Sequence, residues 1–216
     1  MNFSHKISKV ITIIKNVSRE NYNKWLRKHN PKKLSEYYYR LAMGEKMNWR
    51  NPVDINAKIQ WLKFYGDIQL WAKCADKYSV REYVKERGFE NLLVKLYGKW
   101  NNVEDINWDL LPEQFIIKVN NGCGGNIICN SKKDCNIAEM STRLNELLYQ
   151  EYSDIFVEPH YALIKPYIIA EELLDSNCQQ FESDSMIDYK VWCFDGEPLY
   201  ICVYHDRTPQ SIHFSI

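Results

Sequence analysis

Residues 115–129 read Phe-Ile-Ile-Lys-Val-Asn-Asn-Gly-Cys-Gly-Gly-Asn-Ile-Ile-Cys. The pattern predicts a strand, a tight glycine loop and a second strand, with Lys118 near the end of the first strand. Three of the eight glycines of the chain lie within four positions, at Gly122, Gly124 and Gly125. Such glycines cost conformational entropy, so the loop indicates close approach of backbone N–H groups to an anion such as a phosphate. The alternative is a β-hairpin with a glycine turn.

The composition bounds the class of protein. The chain has 216 residues, of which 45% are hydrophobic, so it can bury the core of one large domain or two small ones. It contains no apolar run long enough for a transmembrane helix and no apolar core of a signal peptide. Seven cysteines at irregular spacings, with no histidine near Cys123, Cys129 and Cys135, predict free thiols in a reducing cytoplasm rather than a metal site.

Charge is distributed unevenly, although the formal net charge is zero. Residues 1–50 hold twelve Lys and Arg against three Asp and Glu, which leaves sixteen against twenty-five in the rest. Apolar residues at helical spacing predict an amphipathic helix over 3–18. The basic front end therefore predicts contact with an anionic surface, either the inner face of the cell membrane or an acidic glycan, and not with nucleic acid. The alternative is a helical cap whose basic face is only solvated.

Periodicity and turn signals predict an α+β chain in two regions, 1–70 and 71–216. The first region is helical, and the second combines helices with strands in a mixed or antiparallel sheet. Predicted helices cover 19–29, 33–43, a segment from Asn51, 75–84 and about 137–150. In helix 75–84, Tyr78, Val80, Tyr83 and Val84 are expected to face inward. Predicted strands cover 92–97, 115–119, 167–170, 186–194 and 198–204, and residues 175–184 form a polar loop. Asp195-Gly196 between the last two strands is a strong hairpin signal.

Two lysines suit a phosphate. Asp76-Lys77 starts a predicted helix. The Asp76 carboxylate would interact favourably with the N-terminal end of the helix dipole and act as a cap, whereas the Lys77 ammonium gains nothing from that dipole. Lys118 interrupts an apolar strand and is expected to share a face with Ile116. Each lysine can serve an external phosphate, and each has an ordinary alternative as a solvent-facing side chain.

Acidic and basic residues also close the later strands. Glu171 and Glu172 end an apolar strand, where their oxygens can accept from the amino group of an adenine, with Leu173 and Leu174 beside the ring. Asp188 and Lys190 share one strand face, and Arg207 follows the partner strand. The alternatives are a strand that ends in solvent and surface ion pairs of small energetic value.

The order of these motifs resembles the ATP-grasp superfamily. More narrowly, it is similar to the ATP-grasp family named for teichuronopeptide biosynthesis, which includes polysaccharide-biosynthesis and glycosyltransferase-like proteins. The resemblance covers about residues 50–207 and is carried by six blocks in order: 51–63, 75–84, 111–118, Gly122-Cys-Gly-Gly125, Ile169-Ala-Glu-Glu172 and 188–196.

This resemblance implies an ATP-dependent carboxylate–amine ligase that forms an acyl-phosphate during assembly of cell-surface or capsular polysaccharide. It implies that Lys77, Lys118 and the loop Gly122–Gly125 bind the ATP phosphates, and that Glu171, Glu172 and Leu174 lie at the adenine. It also implies that Asp188, Lys190 and Arg207 face the transferred phosphate and the acyl substrate. Positioned cations stabilise the spread negative charge of such a transition state.

Two departures from the family pattern concern the glycine loop and the end of the chain. Cys123 stands where the family usually has serine. The family holds Mg²⁺ with acidic residues on later strands, so the ligands are expected beyond Ile216 and the C-terminal lobe is expected to be incomplete. We then expect an unpaired strand edge after Tyr204 and no ligase turnover by this chain alone.

Two other functions remain open. A glycosyltransferase of polysaccharide assembly is one, although residues 184–186 read Asp-Ser-Met and so lack the Asp-x-Asp metal motif of many such enzymes. A non-catalytic nucleotide- or glycan-binding remnant of an ATP-grasp protein is the other.

Overall fold

The computed structural model describes residues 19–152, 157–174, 183, 185–206, 208 and 213–215. The chain divides into two units, Met1–Glu172 and Leu173–Ile216, here called the first and second units. The predicted helix over 3–18, most of the predicted loop over 175–184, and Arg207 fall outside the described residues. Among the helices that are described, none has the length and apolar character needed to cross a membrane.

Six α-helices are found in the described part of the first unit. They are α1 (residues 19–29), α2 (Pro31–Met43), α3 (Ile55–Tyr65), α4 (Ile68–Ala75), α5 (Ser79–Glu86) and α6 (Ile137–Leu148). Side-chain caps fix several starts: Asn30 accepts from the N–H of Lys33, and Asp54 from that of Ala57. Gly44 ends α2 with a left-handed φ of 78°.

The helix predicted over 75–84 is wrong at its start. Helix α4 ends at Ala75, Asp76 is extended, and α5 begins only at Ser79. The Asp76 carboxylate accepts from the Tyr78 N–H at 2.8 Å and from the Ser79 hydroxyl at 2.6 Å. These local bonds compete with a continuous helix. No residue of α5 is fully buried, so its apolar side chains are half-buried rather than inward.

A four-stranded antiparallel sheet is built from β1 (Leu96–Trp100), β2 (Phe115–Val119), β3 (Ile127–Cys129) and β4 (Ile168–Glu171). The strand order is β1-β4-β2-β3. The prediction for β2 is confirmed at both ends. The strand predicted at 92–97 is shifted, because residues Glu90–Leu92 form a 3₁₀ turn and pairing with β4 starts at Leu96.

Alternation along β2 separates the core from the candidate site. Phe115, Ile117 and Val119 are buried on one face, where they join buried residues of α6 such as Leu144. Ile116 and Lys118 lie on the other face and are half-buried. The period of two in the strand therefore places Lys118 on the face opposite the main core.

The second unit contains a three-stranded antiparallel sheet of β5 (Asp188–Phe194), β6 (Glu197–His205) and β7 (His213–Ser215). Asp195 and Gly196 connect β5 to β6 with positive φ angles of 52° and 83°, as a type I′ hairpin turn requires. The expectation of an unpaired edge after Tyr204 is wrong, because Tyr204 lies opposite Phe214 in β7. Helices with antiparallel sheets make the chain α+β, as predicted.

Candidate functional site

A buried carboxylate with two cationic partners lies at the end of β4. The Glu171 side chain is 7% exposed, and its Oε2 lies 2.6 Å from Lys118 Nζ, while its Oε1 lies 2.9 Å from Arg81 Nη1. Lys118 is opposite Ile169 and Glu171 is opposite Ile116, so the antiparallel register puts the two charges on one face as diagonal neighbours. We call Arg81, Lys118 and Glu171 the charge cluster.

Arg81 is the member that the sequence motifs missed. It lies in α5, donates from Nη1 to Glu171, and donates from Nη2 to the Val94 carbonyl at 2.6 Å. The signal available in the sequence was its position one turn after Lys77 on a helical segment. Glu171 was predicted to accept a hydrogen bond from an adenine. In the structure both oxygens of its carboxylate are already paired with cations.

The Lys77 side chain contacts the backbone of the glycine loop. Its Nζ lies within hydrogen-bond distance of the carbonyl oxygens of four consecutive residues, which its three N–H groups share, at 3.3 Å from Val119, 3.4 Å from Asn120, 3.3 Å from Asn121 and 2.7 Å from Gly122. Burial, followed by the nearby Lys118 ammonium, lowers the pKa of Lys77. The loop thus supplies backbone oxygens to a cation, while the charge cluster lies on the adjacent strand.

The glycine loop uses backbone angles that favour glycine. Gly122, Gly124 and Gly125 have φ angles of 75°, 76° and 69°. A Cβ added at Gly122 meets the Tyr152 ring at 2.4 Å, whereas one added at Gly124 meets nothing within 4 Å. Position 122 therefore requires glycine for two reasons, its positive φ and the closeness of the Tyr152 ring. β2 and β3 do form the hairpin that was the alternative interpretation, with the loop between them.

Asn120 anchors this loop to the rest of the unit. Its side chain is fully buried, and its Nδ2 donates to Asp76 Oδ1 at 2.7 Å and to the Lys165 carbonyl at 3.1 Å. Its Oδ1 accepts from the Tyr167 N–H at 2.6 Å. Because Asp76 also orders the start of α5, this one amide joins the segment that carries Lys77 to the start of β4. No sequence motif pointed to it.

Lys99, in β1, lies on the same sheet face as Lys118. It lies opposite Ile169 in the register of β1 with β4. Its Nζ is 3.8 Å from the centroid of the Tyr78 ring and 3.8 Å from that of the Tyr167 ring. The two rings therefore enclose the ammonium through cation–π contacts. Both tyrosines also line a pocket of about 530 Å³ beside Asp76.

The remaining predicted residues are placed elsewhere. Glu172 is exposed, and its carboxylate accepts from the Lys95 N–H at 3.2 Å. Leu174, in the second unit, is exposed. Asp188 and Lys190 form a 3.7 Å ion pair on the surface of that unit, with Lys190 Nζ 4.5 Å from the Tyr204 ring centroid. The structure thus brings together Lys77, Lys118, Glu171 and the glycine loop within the first unit.

The fit of the site to its expected ligands differs for phosphate and metal. Arg81 and Lys118 contact one buried carboxylate, and Lys77 lies against the adjacent glycine loop, so the site offers three cationic donors of the kind that suits a phosphate. Within the described ranges, no group of three or more His, Cys, Asp or Glu could hold a metal ion. Both oxygens of Glu171, the buried carboxylate of the charge cluster, are engaged by Lys118 and Arg81, so in this arrangement it does not offer a ligand to Mg²⁺.

Comparison with family models identifies the protein family of this chain. The family model described as TupA-like ATPgrasp matches residues 57–214, well over half of the chain. The chain belongs to the TupA-like ATPgrasp family. This confirms the resemblance that the six sequence blocks carried, and the match spans the charge cluster, the glycine loop and the hairpin of the second unit. Comparisons with curated proteins and with solved structures found no match.

Proposed function

We propose that this chain binds ATP and acts as an ATP-grasp-type ligase that joins a carboxylate to an amine in cell-surface polysaccharide assembly. Membership of the TupA-like ATPgrasp family supports an ATP-binding, ligase-like role. The observation that carries the proposal is the charge cluster beside the glycine loop. Two of its cations, Arg81 and Lys118, bind one buried carboxylate, and Lys77 lies against the neighbouring glycine loop.

The proposed role of each residue follows from its present partner. Lys118 and Arg81 now bind the Glu171 carboxylate, and phosphate oxygens are acceptors of the same kind with more negative charge. Lys77 binds four loop carbonyls, which are weaker acceptors than a phosphate. ATP phosphates would therefore compete for Lys77 and Lys118 against internal acceptors. The backbone of Gly122, Gly124 and Gly125 would close over them.

In the proposed reaction, an oxygen of the acid attacks the γ-phosphorus of ATP, the bond to the β-phosphate oxygen breaks, and ADP leaves. The amine then attacks the acyl carbon and displaces inorganic phosphate. Cations held near the developing negative charge lower the barrier to both steps. We assign Lys77 and Lys118 to the ATP phosphates, and we propose that Asp188, Lys190 and Arg207 of the second unit serve the transferred phosphate and the acid.

The test is a nucleotide titration of the parent, of Lys118→Ala and of Lys133→Ala. Lys133 is an exposed lysine of the same unit and serves as the matched control. Loss of a charge-assisted contact should weaken ATP binding by about 1–3 kcal/mol in Lys118→Ala and leave Lys133→Ala close to the parent. Superimposable titration curves for the parent and Lys118→Ala would remove the assignment.

A turnover assay tests the ligase class separately from binding. ADP release that requires both an acid and an amine supports carboxylate–amine ligation and would show that the expectation of no turnover by this chain alone is wrong. ADP release with neither co-substrate indicates a simple ATPase and contradicts the proposed reaction.

The basic front end is proposed to contact an anionic surface, by which the enzyme would reach its polysaccharide or membrane-bound precursor. Support comes from the excess of nine positive charges in residues 1–50. Co-sedimentation with vesicles that contain anionic lipid should decrease as salt is added. Equal co-sedimentation with neutral vesicles, or no effect of salt, contradicts the electrostatic contact.

A further inference from the structure

A second cavity lies in the helical part of the first unit, between α2 and α3. Its volume is about 540 Å³, within the range of small-molecule sites. All of its lining residues come from these two helices, and none belongs to the charge cluster or the glycine loop. The cavity therefore needs an explanation of its own.

The α2 side of the cavity offers an apolar, aromatic wall. It is formed by Tyr38, Tyr39, Ala42 and Met43. The Tyr39 hydroxyl donates to Asp54 Oδ2 at 2.7 Å, so its polar end is already occupied. Flat rings and a thioether suit the body of an apolar or planar molecule.

The α3 side offers hydrogen-bond donors and one buried positive charge. Lys63 is only 7% exposed and lines the cavity. Gln60 also lines the cavity, and its Oε1 accepts from the Ser35 hydroxyl at 2.5 Å, so its amide N–H₂ is the group with which it could donate to a ligand. An ammonium carries three N–H donors, and a ligand oxygen at Lys63 would share them with the protein contacts that this side chain already makes.

Electrostatics favour an anionic ligand at this end. Burial lowers the pKa of Lys63, since the ammonium has lost much of its hydration, and the Glu158 carboxylate opposes that shift. A ligand carboxylate would add a second counter-charge in a partly desolvated place, where such pairing is stronger than in water. A ligand ammonium would instead meet a like charge.

We propose that the cavity between α2 and α3 binds a small organic carboxylate, with its charged end at Lys63 and Gln60 and its apolar body against Tyr38 and Met43. One ammonium and one amide match the two oxygens and single charge of a carboxylate. A phosphate monoester, with three terminal oxygens and nearly two charges, calls for more donors than this wall provides. This site would place an acid, rather than a nucleotide, in the helical region.

The test uses benzoate as the probe, followed by ligand-observed NMR titration, with benzamide and phenyl phosphate as matched compounds. Three variants are compared with the parent. Lys63→Met keeps the length of the side chain without its charge, and Ala42→Phe fills the cavity from an exposed position of α2. Lys58→Met removes an exposed lysine of the same helix and is the control.

We expect benzoate to bind the parent and Lys58→Met equally, and to bind Lys63→Met at least about tenfold more weakly. Ala42→Phe, which leaves Lys63 in place, should abolish binding. If Lys63→Met fails to fold, the result with Ala42→Phe decides. The proposal is overturned if benzoate does not bind, if neither variant changes its binding, or if benzamide or phenyl phosphate binds as tightly as benzoate.

Discussion

Replacing Glu171 is the most informative change to the charge cluster. Glu171→Gln keeps the shape of the side chain and removes its charge, and Glu171→Ala removes the acceptors as well. In both variants Arg81 and Lys118 lose the shared carboxylate that lies 2.9 and 2.6 Å from their nitrogens. The neighbouring Glu172→Gln is the matched control, because Glu172 is exposed and its bond to the Lys95 N–H can be kept by an amide oxygen.

The expected magnitude follows from burial. The side chains of Arg81, Lys118 and Glu171 are 14%, 16% and 7% exposed, so solvent screens their pairing only weakly. Removing one partner from a buried ion pair typically costs about 3–5 kcal/mol, since uncompensated charge remains. We therefore expect Glu171→Ala to lower the free energy of unfolding by about 3–5 kcal/mol. Glu171→Gln keeps one neutral acceptor and should lose about 1.5–3 kcal/mol. Glu172→Gln should change it by less than about 0.5 kcal/mol.

Urea unfolding measures these differences, and two ligands then separate the two roles considered for Glu171. If the carboxylate occupies the place of a phosphate, tripolyphosphate should bind Glu171→Gln more tightly than the parent, because the cations are no longer paired. If it instead accepts from an adenine, adenosine binding should fall in the variant and tripolyphosphate binding should stay unchanged. The geometry favours the first result. Each tenfold gain in affinity corresponds to about 1.4 kcal/mol of added stabilisation at saturating ligand.

Unchanged stability of Glu171→Ala would refute the reasoning, because it would mean that the pairing merely offsets its own desolvation. Equal tripolyphosphate affinity in the parent and Glu171→Gln would refute the idea that phosphate and carboxylate compete. A loss of stability in Glu172→Gln as large as that in Glu171→Gln would show that the strand end, and not the charge cluster, is sensitive.

Two further predictions concern a titration and a backbone conformation. The hydrogen bond to Asp54 raises the pKa of Tyr39 from 10.0 to about 12. Between these values the folded state keeps a proton that the unfolded chain releases. The stability that this group contributes is therefore present below pH 10 and is lost as the pH rises toward 12. Tyr39→Phe should therefore lose stability less steeply between about pH 10 and about pH 12 in urea unfolding, and an identical slope in both proteins contradicts the assignment. Gly124→Ala should cost about 1–2 kcal/mol for its left-handed φ alone. Gly122→Ala should cost more, because its Cβ also meets Tyr152, and the idea fails if thermal unfolding shows equal losses.

Strand β2 shows why part of the site could be predicted from sequence. A period of two is a local property, so the pattern Phe115-Ile-Ile-Lys-Val119 fixed both the strand and the face of Lys118. The hairpin at Asp195-Gly196 was equally local, because its turn type depends on two residues. Predictions succeeded where the deciding interaction lay within a few positions of the chain.

The failures have the opposite cause. The apolar run from Leu92 carries no information on register, and the start of β1 is set by its partner β4, more than seventy residues away. The salt bridge between Arg81 and Glu171 spans 90 positions, and the bond between Asn120 and Asp76 spans 44. Long polar side chains have several candidate partners, and only the tertiary structure selects among them.

The same contacts set a condition on nucleotide binding. Lys77 and Lys118 each have internal acceptors, so a phosphate gains only the difference between its own bonds and those it replaces. If phosphate binds Lys77 as proposed, the carbonyls from Val119 to Gly122 lose this cation, and we then expect the conformation of the glycine loop to change. Hydrogen exchange of the loop amides should therefore respond to tripolyphosphate alone. An exchange pattern that changes only with adenosine would place the ligand at another part of the unit.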